Sequence, residues 1–116
     1  MKSSFSSEKR LHGAKAIQAV LQQGQRFASP NLLVVVQNTS SLEKKLGIGV
    51  SRKVGNAVKR NKIKRWIREA FRLNQNQMPS GFRVVVLVRE KQNLKNFSEV
   101  EKDLLSLFGR AKIFDS

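Results

Sequence analysis

Residues Lys45–Leu73 read KLGIGVSRKVGNAVKRNKIKRWIREAFRL, and the order of patterns within them decides the fold. Leu46, Ile48 and Val50 alternate with Gly47, Gly49 and Ser51, which is the period of a strand with one apolar face. The other face is almost bare of side chains, so either a packed helix or a ligand backbone can approach it closely. Gly55-Asn56 then punctuates the chain, and Asn56 is a good N-cap for a helix running to about Leu73. Along that helix Ile63, Trp66, Ile67, Ala70 and Phe71 form an apolar stripe, predicted to pack on a sheet.

The flanks extend the same alternation of helix and strand. Upstream, Leu11, Ala14, Ile17, Val20 and Leu21 recur at helical spacing between Glu8 and Gln23, and Gly24 is a plausible stop. Arg26 to Ala28 suggests a short strand before the break at Ser29-Pro30. Leu32 to Val36 is a continuous apolar run that reads as a strand buried on both faces. Downstream, Asn74 to Gly81 is a polar loop and Phe82 to Val88 a third strong strand. Ser98 and Glu101 have capping-box spacing ahead of Val100, Leu104, Leu107 and Phe108, the stripe of a last helix. The expected fold is α+β, with helices covering a small sheet. Residues 1–116 read as a single domain without internal repeats, with 1–7 and 111–116 expected to be flexible.

Charge is the outstanding property. The chain has 23 Lys and Arg against 8 Asp and Glu, a formal net charge of +15, which opposes compaction and calls for an anionic partner. No cysteine is present, which removes disulfides, thiolate metal sites and thiol catalysis. With His12 as the one histidine, a histidine metal site is not expected either, and His12 itself reads as a surface residue. The N-terminal residues lack the apolar core of a secretory signal, and no run approaches the roughly 18 apolar residues that span a bilayer. A cytoplasmic protein with no membrane partner is expected.

Ser51 to Arg72 concentrates this charge, with nine basic residues and one acid, Glu69. Arg60, Lys64, Arg68 and Arg72 recur at i, i+4 spacing on one helix face, beside Asn61 and Arg65. A merely solvated face usually mixes signs, because like charges at this spacing cost about 0.2–0.5 kcal/mol per pair. An unmixed row is better explained by phosphate contact, with each guanidinium able to hold two phosphate oxygens. Lys59 and Lys62 belong to the same segment, and Arg52 and Lys53 extend its field toward the sheet. Asn61 can donate and accept, so it can orient a phosphate, a 2′-hydroxyl or a neighbouring arginine; a plain surface spacer is the alternative. No phosphate-cradling glycine loop and no paired carboxylates are present, so no catalytic residue is assigned. Trp66 is placed for core packing more than for base stacking, and the phenylalanines Phe82, Phe97 and Phe108 read as core. No strand carries alternating aromatics, so a stacking platform of the RNA-recognition-motif type is not supported.

At Gly47 to Glu69, the sequence resembles the signature of the protein subunit of bacterial ribonuclease P. Arg60-Asn61-Lys62 followed by Lys64-Arg65 and Arg68-Glu69 matches that family's RNR element, with Lys62 in place of the third-position arginine. Arg10-Leu11, the Phe82–Arg89 strand and the C-terminal amphipathic helix also fit, over about residues 5 to 110. The resemblance implies a two-layer α/β sandwich ordered αβββαβα, like the second domain of ribosomal protein S5. Its small mixed sheet would have a left-handed crossover into the basic helix, against the usual handedness. It further implies that a catalytic RNA subunit performs the hydrolysis with Mg2+, removing the 5′ leader of precursor tRNA. The protein's RNR face would dock on that RNA, and a cleft between the first helix and the sheet would hold the leader. The matching cleft positions are Ile17, Leu21 and Val35, beside Arg52 and Lys53. Many relatives have aromatics at the first three, whereas this chain has aliphatics, for which Phe5 or Phe27 could compensate.

Three functions therefore compete: a protein cofactor of ribonuclease P, a general structural or ribosomal-type RNA-binding protein, and a self-sufficient nuclease. A DNA-binding helix-turn-helix is disfavoured because the basic helix follows a strand and not a second helix.

Overall fold

The computed structural model describes residues 10–11, 13–40 and 42–113. The elements run α1 (Ala14–Gln23), β1 (Gln25–Ala28), β2 (Leu32–Asn38), β3 (Lys44–Val50), α2 (Ala57–Asn74), β4 (Phe82–Val88) and α3 (Phe97–Arg110), the expected αβββαβα order. Short 3-10 turns at Arg52–Val54 and Gln75–Gln77 flank α2.

The four strands form one mixed sheet in the order β1-β2-β4-β3. β2 pairs antiparallel with both β1 and β4, in a register that sets Val34 against Val86 and Val35 against Val85. β3 lies parallel to β4, so α2 is the crossover between neighbouring parallel strands. β2 and β4 are central strands, and their valine runs are buried on both sheet faces because helices lie on both sides. On one side Val34, Val36, Val84 and Val86 meet Ile63, Ile67 and Phe71 of α2 and Val100, Leu104 and Phe108 of α3. On the other, Val35 and Val85 meet Leu11 and Val20 in a smaller cluster that α1 completes. Phe71 anchors the larger cluster, with edge-to-face contacts to Phe82 and Phe108 at centroid distances of 6.2 and 6.4 Å.

Three boundaries differ from the sequence reading, each for a local reason. The first helix begins at Ala14 and not near Glu8, since Gly13 takes φ +87°. Arg10 forms an isolated parallel bridge to Leu46, and Leu11 N–H donates to Leu46 O at 2.9 Å, so residues 10 and 11 cover part of the free edge of β3. The last helix begins at Phe97, ahead of the Ser98 start. Asn96 Oδ1 accepts from Glu99 N–H (2.9 Å), while Glu99 Oε1 accepts from Lys95 N–H (2.8 Å), so the reciprocal cap sits two residues earlier. Of the stretch 111–116, Ile113 is buried in the larger cluster and donates its N–H to Phe108 O.

The bare face of β3 receives two different neighbours. A Cβ on Gly47 would lie 3.5 Å from Ile17 and Leu11, so the N-terminal segment packs there. At Gly49 a Cβ would lie 2.7 Å from Leu87 Cδ2, so the side chain of the adjacent strand spreads across the vacant position. Gly24 is tighter still: a Cβ would meet Val20 O and Val35 Cγ1 at 2.7 Å, where the chain turns from α1 into β1 directly over the sheet.

Candidate nucleic-acid interface

Two caps in succession fix where the basic residues emerge. Ser51 Oγ accepts from Lys53 N–H (3.1 Å), holding the 3-10 turn that presents Arg52 and Lys53 to solvent. Asn56 Oδ1 accepts from Lys59 N–H (2.9 Å) and starts α2. Burial of Ile63, Ile67, Ala70 and Phe71 against the sheet then determines the helix rotation, so the remaining positions must face outward.

The outward positions fall into three strips. Arg60, Lys64 and Arg68 lie half-buried along the flank toward β3, and Arg60 Nε donates to Gly55 O at 3.1 Å. Asn61 and Arg65 stand exposed on the crest. Lys59 and Lys62 are exposed along the other flank, next to half-buried Trp66. Arg72 continues the first row in sequence, but its guanidinium turns to Glu69, with Nε donating to Oε1 at 3.0 Å. That hydrogen bond holds the Glu69 carboxyl below its ordinary pKa and raises that of Arg72.

Among the described residues, most acidic groups are engaged away from these strips of α2: Glu43 pairs with Arg83 at 2.9 Å, Glu101 accepts from Asn74 and Asp103 accepts from Ser29, while Glu90 sits 3.8 Å from Lys53. Glu69 is the one carboxylate on α2. Among the described residues, no three His, Cys, Asp or Glu side chains cluster so as to hold a metal ion. None of the described helices is long and apolar enough to cross a membrane.

Arg10 is a residue that pattern reading missed. It reaches Arg68 across the edge of β3, and the two line a cavity of about 170 Å³ with Ile17, Gly47 and Ile48. Burial, and then repulsion from Arg10, lower the pKa of Arg68 from the ordinary guanidinium value. Arg10 stands apart from the basic run in sequence and joins it only through the edge bridge to β3.

The leader-cleft positions separate. Ile17 and Leu21 are half-buried on α1, whereas Val35 is fully buried beneath it and lines no surface. The reason is the close approach at Gly24, which presses the end of α1 onto Val35. Phe27 packs with the α2 and α3 cluster on the opposite side of the sheet, so it does not replace a cleft aromatic. Phe5 and His12 lie outside the described residues. Beyond α1, Leu33, Leu87 and Gly49 are neighbours across three strands and floor an open cavity of about 620 Å³, bordered by Ser51, Arg89 and Glu90.

Fold and surface together define a small, strongly basic α+β sandwich protein whose crossover helix between parallel strands presents cations on every outward strip. Residues 5–112 match the family profile described as Ribonuclease P. The ribonuclease P protein component of Thermotoga maritima is 34% identical over 114 residues, covering 95% of this chain and 97% of the relative. That of Lachnoclostridium phytofermentans is 39% identical over 97 residues, 84% of each. Among solved structures, the Staphylococcus aureus RNase P protein superposes with a TM-score of 0.84 at 30% identity, covering 92% of this chain and 98% of that one. The Thermotoga maritima RNase P protein gives 0.79 at 34% identity, covering 87% and 96%. The chain belongs to the ribonuclease P protein component family.

Proposed function

We propose that this chain is the protein cofactor of a ribonuclease P particle, binding the catalytic RNA subunit and helping it remove the 5′ leader of precursor tRNA. The observation that carries this is the α2 surface: Arg60, Lys64, Arg65 and Arg68, with Lys59 and Lys62, on a helix bearing a single carboxylate that is itself paired. Such a surface is electrostatically costly in isolation and is favoured when phosphates replace its counterions. Asn61 on the crest orients a phosphate or a 2′-hydroxyl among the arginines.

The α1 side serves the substrate. The single-stranded leader runs over the floor formed by Leu33, Leu87 and Gly49, past Ile17 and Leu21, with Arg52 and Lys53 neutralising its backbone. Aliphatic side chains pack on sugars and bases but lack the roughly 1–3 kcal/mol per base of aromatic stacking, so backbone charge carries more of the leader affinity here. By occupying both RNAs, the protein screens their mutual repulsion and lowers the Mg2+ concentration the reaction requires. The cleavage itself and its Mg2+ ions belong to the RNA subunit. The proposed particle is cytoplasmic, with neither DNA nor membrane as a partner.

Titrating the catalytic RNA against the whole chain at several salt concentrations tests this reading. Binding that weakens steeply as salt rises is expected. Affinity that is negligible, or no better than for an unrelated structured RNA, would favour a general RNA-binding protein.

A further inference from the structure

A cavity of about 330 Å³ opens on the flank of α2 that faces away from β3, between its first turns and the segment leading into α3. Its apolar wall is Ile63, Trp66 and Leu94, with Val58 at the mouth, and three lysines, Lys59, Lys62 and Lys95, surround it. Two facts make it unlike a packing defect. Val58 is 71% exposed although apolar, and Trp66, in the wall, is only half-buried. No carboxylate lines the cavity. An aromatic ring with an apolar floor and a cationic rim matches an unpaired nucleotide, whose base stacks while its phosphates meet the lysines. The volume lies at the lower end of about 300–1,000 Å³ typical of small-ligand sites, enough for one base.

We infer that this cavity receives an unpaired nucleotide of the catalytic RNA, stacked on Trp66 and anchored by Lys59, Lys62 and Lys95. The assignment to that RNA, and not to the leader, follows from topology. The cavity lies in the α2 and α3 layer, on the opposite side of the sheet from α1 and its cleft. It is continuous with the α2 surface through Lys59 and Lys62, and so rests on the reading of that surface as the RNA-docking face. Lys95 extends the contact to a segment outside the basic run.

Trp66 is the only tryptophan in the chain, so its emission reports the cavity directly. Titrating the full chain with catalytic RNA alone should quench that emission, and later addition of precursor tRNA should leave it unchanged. Trp66→Leu should weaken RNA binding about 5- to 150-fold, the range for loss of one stacked base, with Trp66→Phe restoring most of it. Lys95→Gln, an exposed change without folding consequence, should weaken binding and flatten its salt dependence. If the RNA binds with Trp66 emission unchanged and with the affinity of Trp66→Leu and Lys95→Gln intact, the cavity is not an RNA site. Loss of affinity in Arg65→Ala and Arg68→Ala under the same conditions would show the docking face itself still standing. Quenching by an acidic, leucine-containing peptide but not by RNA would assign the cavity to a protein partner and overturn the inference. Quenching only after precursor tRNA is added would assign it to substrate and overturn it as well.

Discussion

Arg65, Arg68 and Arg72 look equivalent in the sequence, and the side-chain geometry makes them unequal. Arg65 stands free on the crest, Arg68 faces Arg10 across the edge of β3, and Arg72 is engaged by Glu69. Arg65→Ala and Arg68→Ala should each reduce the salt slope of RNA binding by about 0.9, one phosphate contact apiece, measured by titration across salt concentrations. Arg72→Ala should change it less. Glu69→Gln, which frees Arg72 and removes a negative charge, should steepen the slope. The sign with pH agrees: Arg72 holds the Glu69 carboxyl below its ordinary value, so the pair persists at neutral pH and is lost only in acid. Helical spacing made the basic face legible, because 100° per residue assigns each position to a direction. It could not reveal the Arg72 pairing, which depends on a rotamer, or the recruitment of Arg10, which depends on an edge bridge 36 residues away in sequence.

Among the elements, α2 is held by its cap and α1 by its exit. Asn56→Ala removes the Oδ1 acceptor of Lys59 N–H and should cost about 1 kcal/mol in urea unfolding, with a looser first turn under Lys59 and Arg60. Gly24→Ala should cost about 1–3 kcal/mol, because its Cβ would collide with two backbone oxygens, of Val20 and Val36, as well as with Val35. Strand β4 was legible end to end, since Phe82 to Val88 is unbroken apolar chain except for Arg83 and is bounded by turn residues. The start of α3 was not, because Ser98-x-x-Glu101 and Asn96-x-x-Glu99 have the same spacing and only the hydrogen bonds distinguish them. Val35 was misplaced for a related reason: a strand position matched to a cleft carries no information about how closely a helix end presses upon it.

For the whole molecule, the decisive arrangement is a sheet covered differently on its two sides, by α1 on one, where the leader is proposed to run, and by α2 and α3 on the other. Phe71, at the junction of α2, β4 and α3, bears much of that arrangement. Phe71→Ala should cost about 3–5 kcal/mol and lower the melting temperature of the entire domain cooperatively. The alternation of elements was readable from periodicity, whereas the parallel pairing of β3 with β4 across α2 was not, since no local pattern encodes which strands become neighbours. The net charge of +15 implied an anionic partner, and the proposed function makes that partner a catalytic RNA that cuts while the protein holds. The most direct test is cleavage of precursor tRNA at low Mg2+ by protein alone, by the catalytic RNA alone, and by both. The expected result is no cleavage by the protein, weak cleavage by the RNA, and a large gain from both that Arg65→Ala combined with Arg68→Ala diminishes. Cleavage by the purified protein without RNA, or no gain on adding it to the RNA, would rule out a cofactor role for the chain.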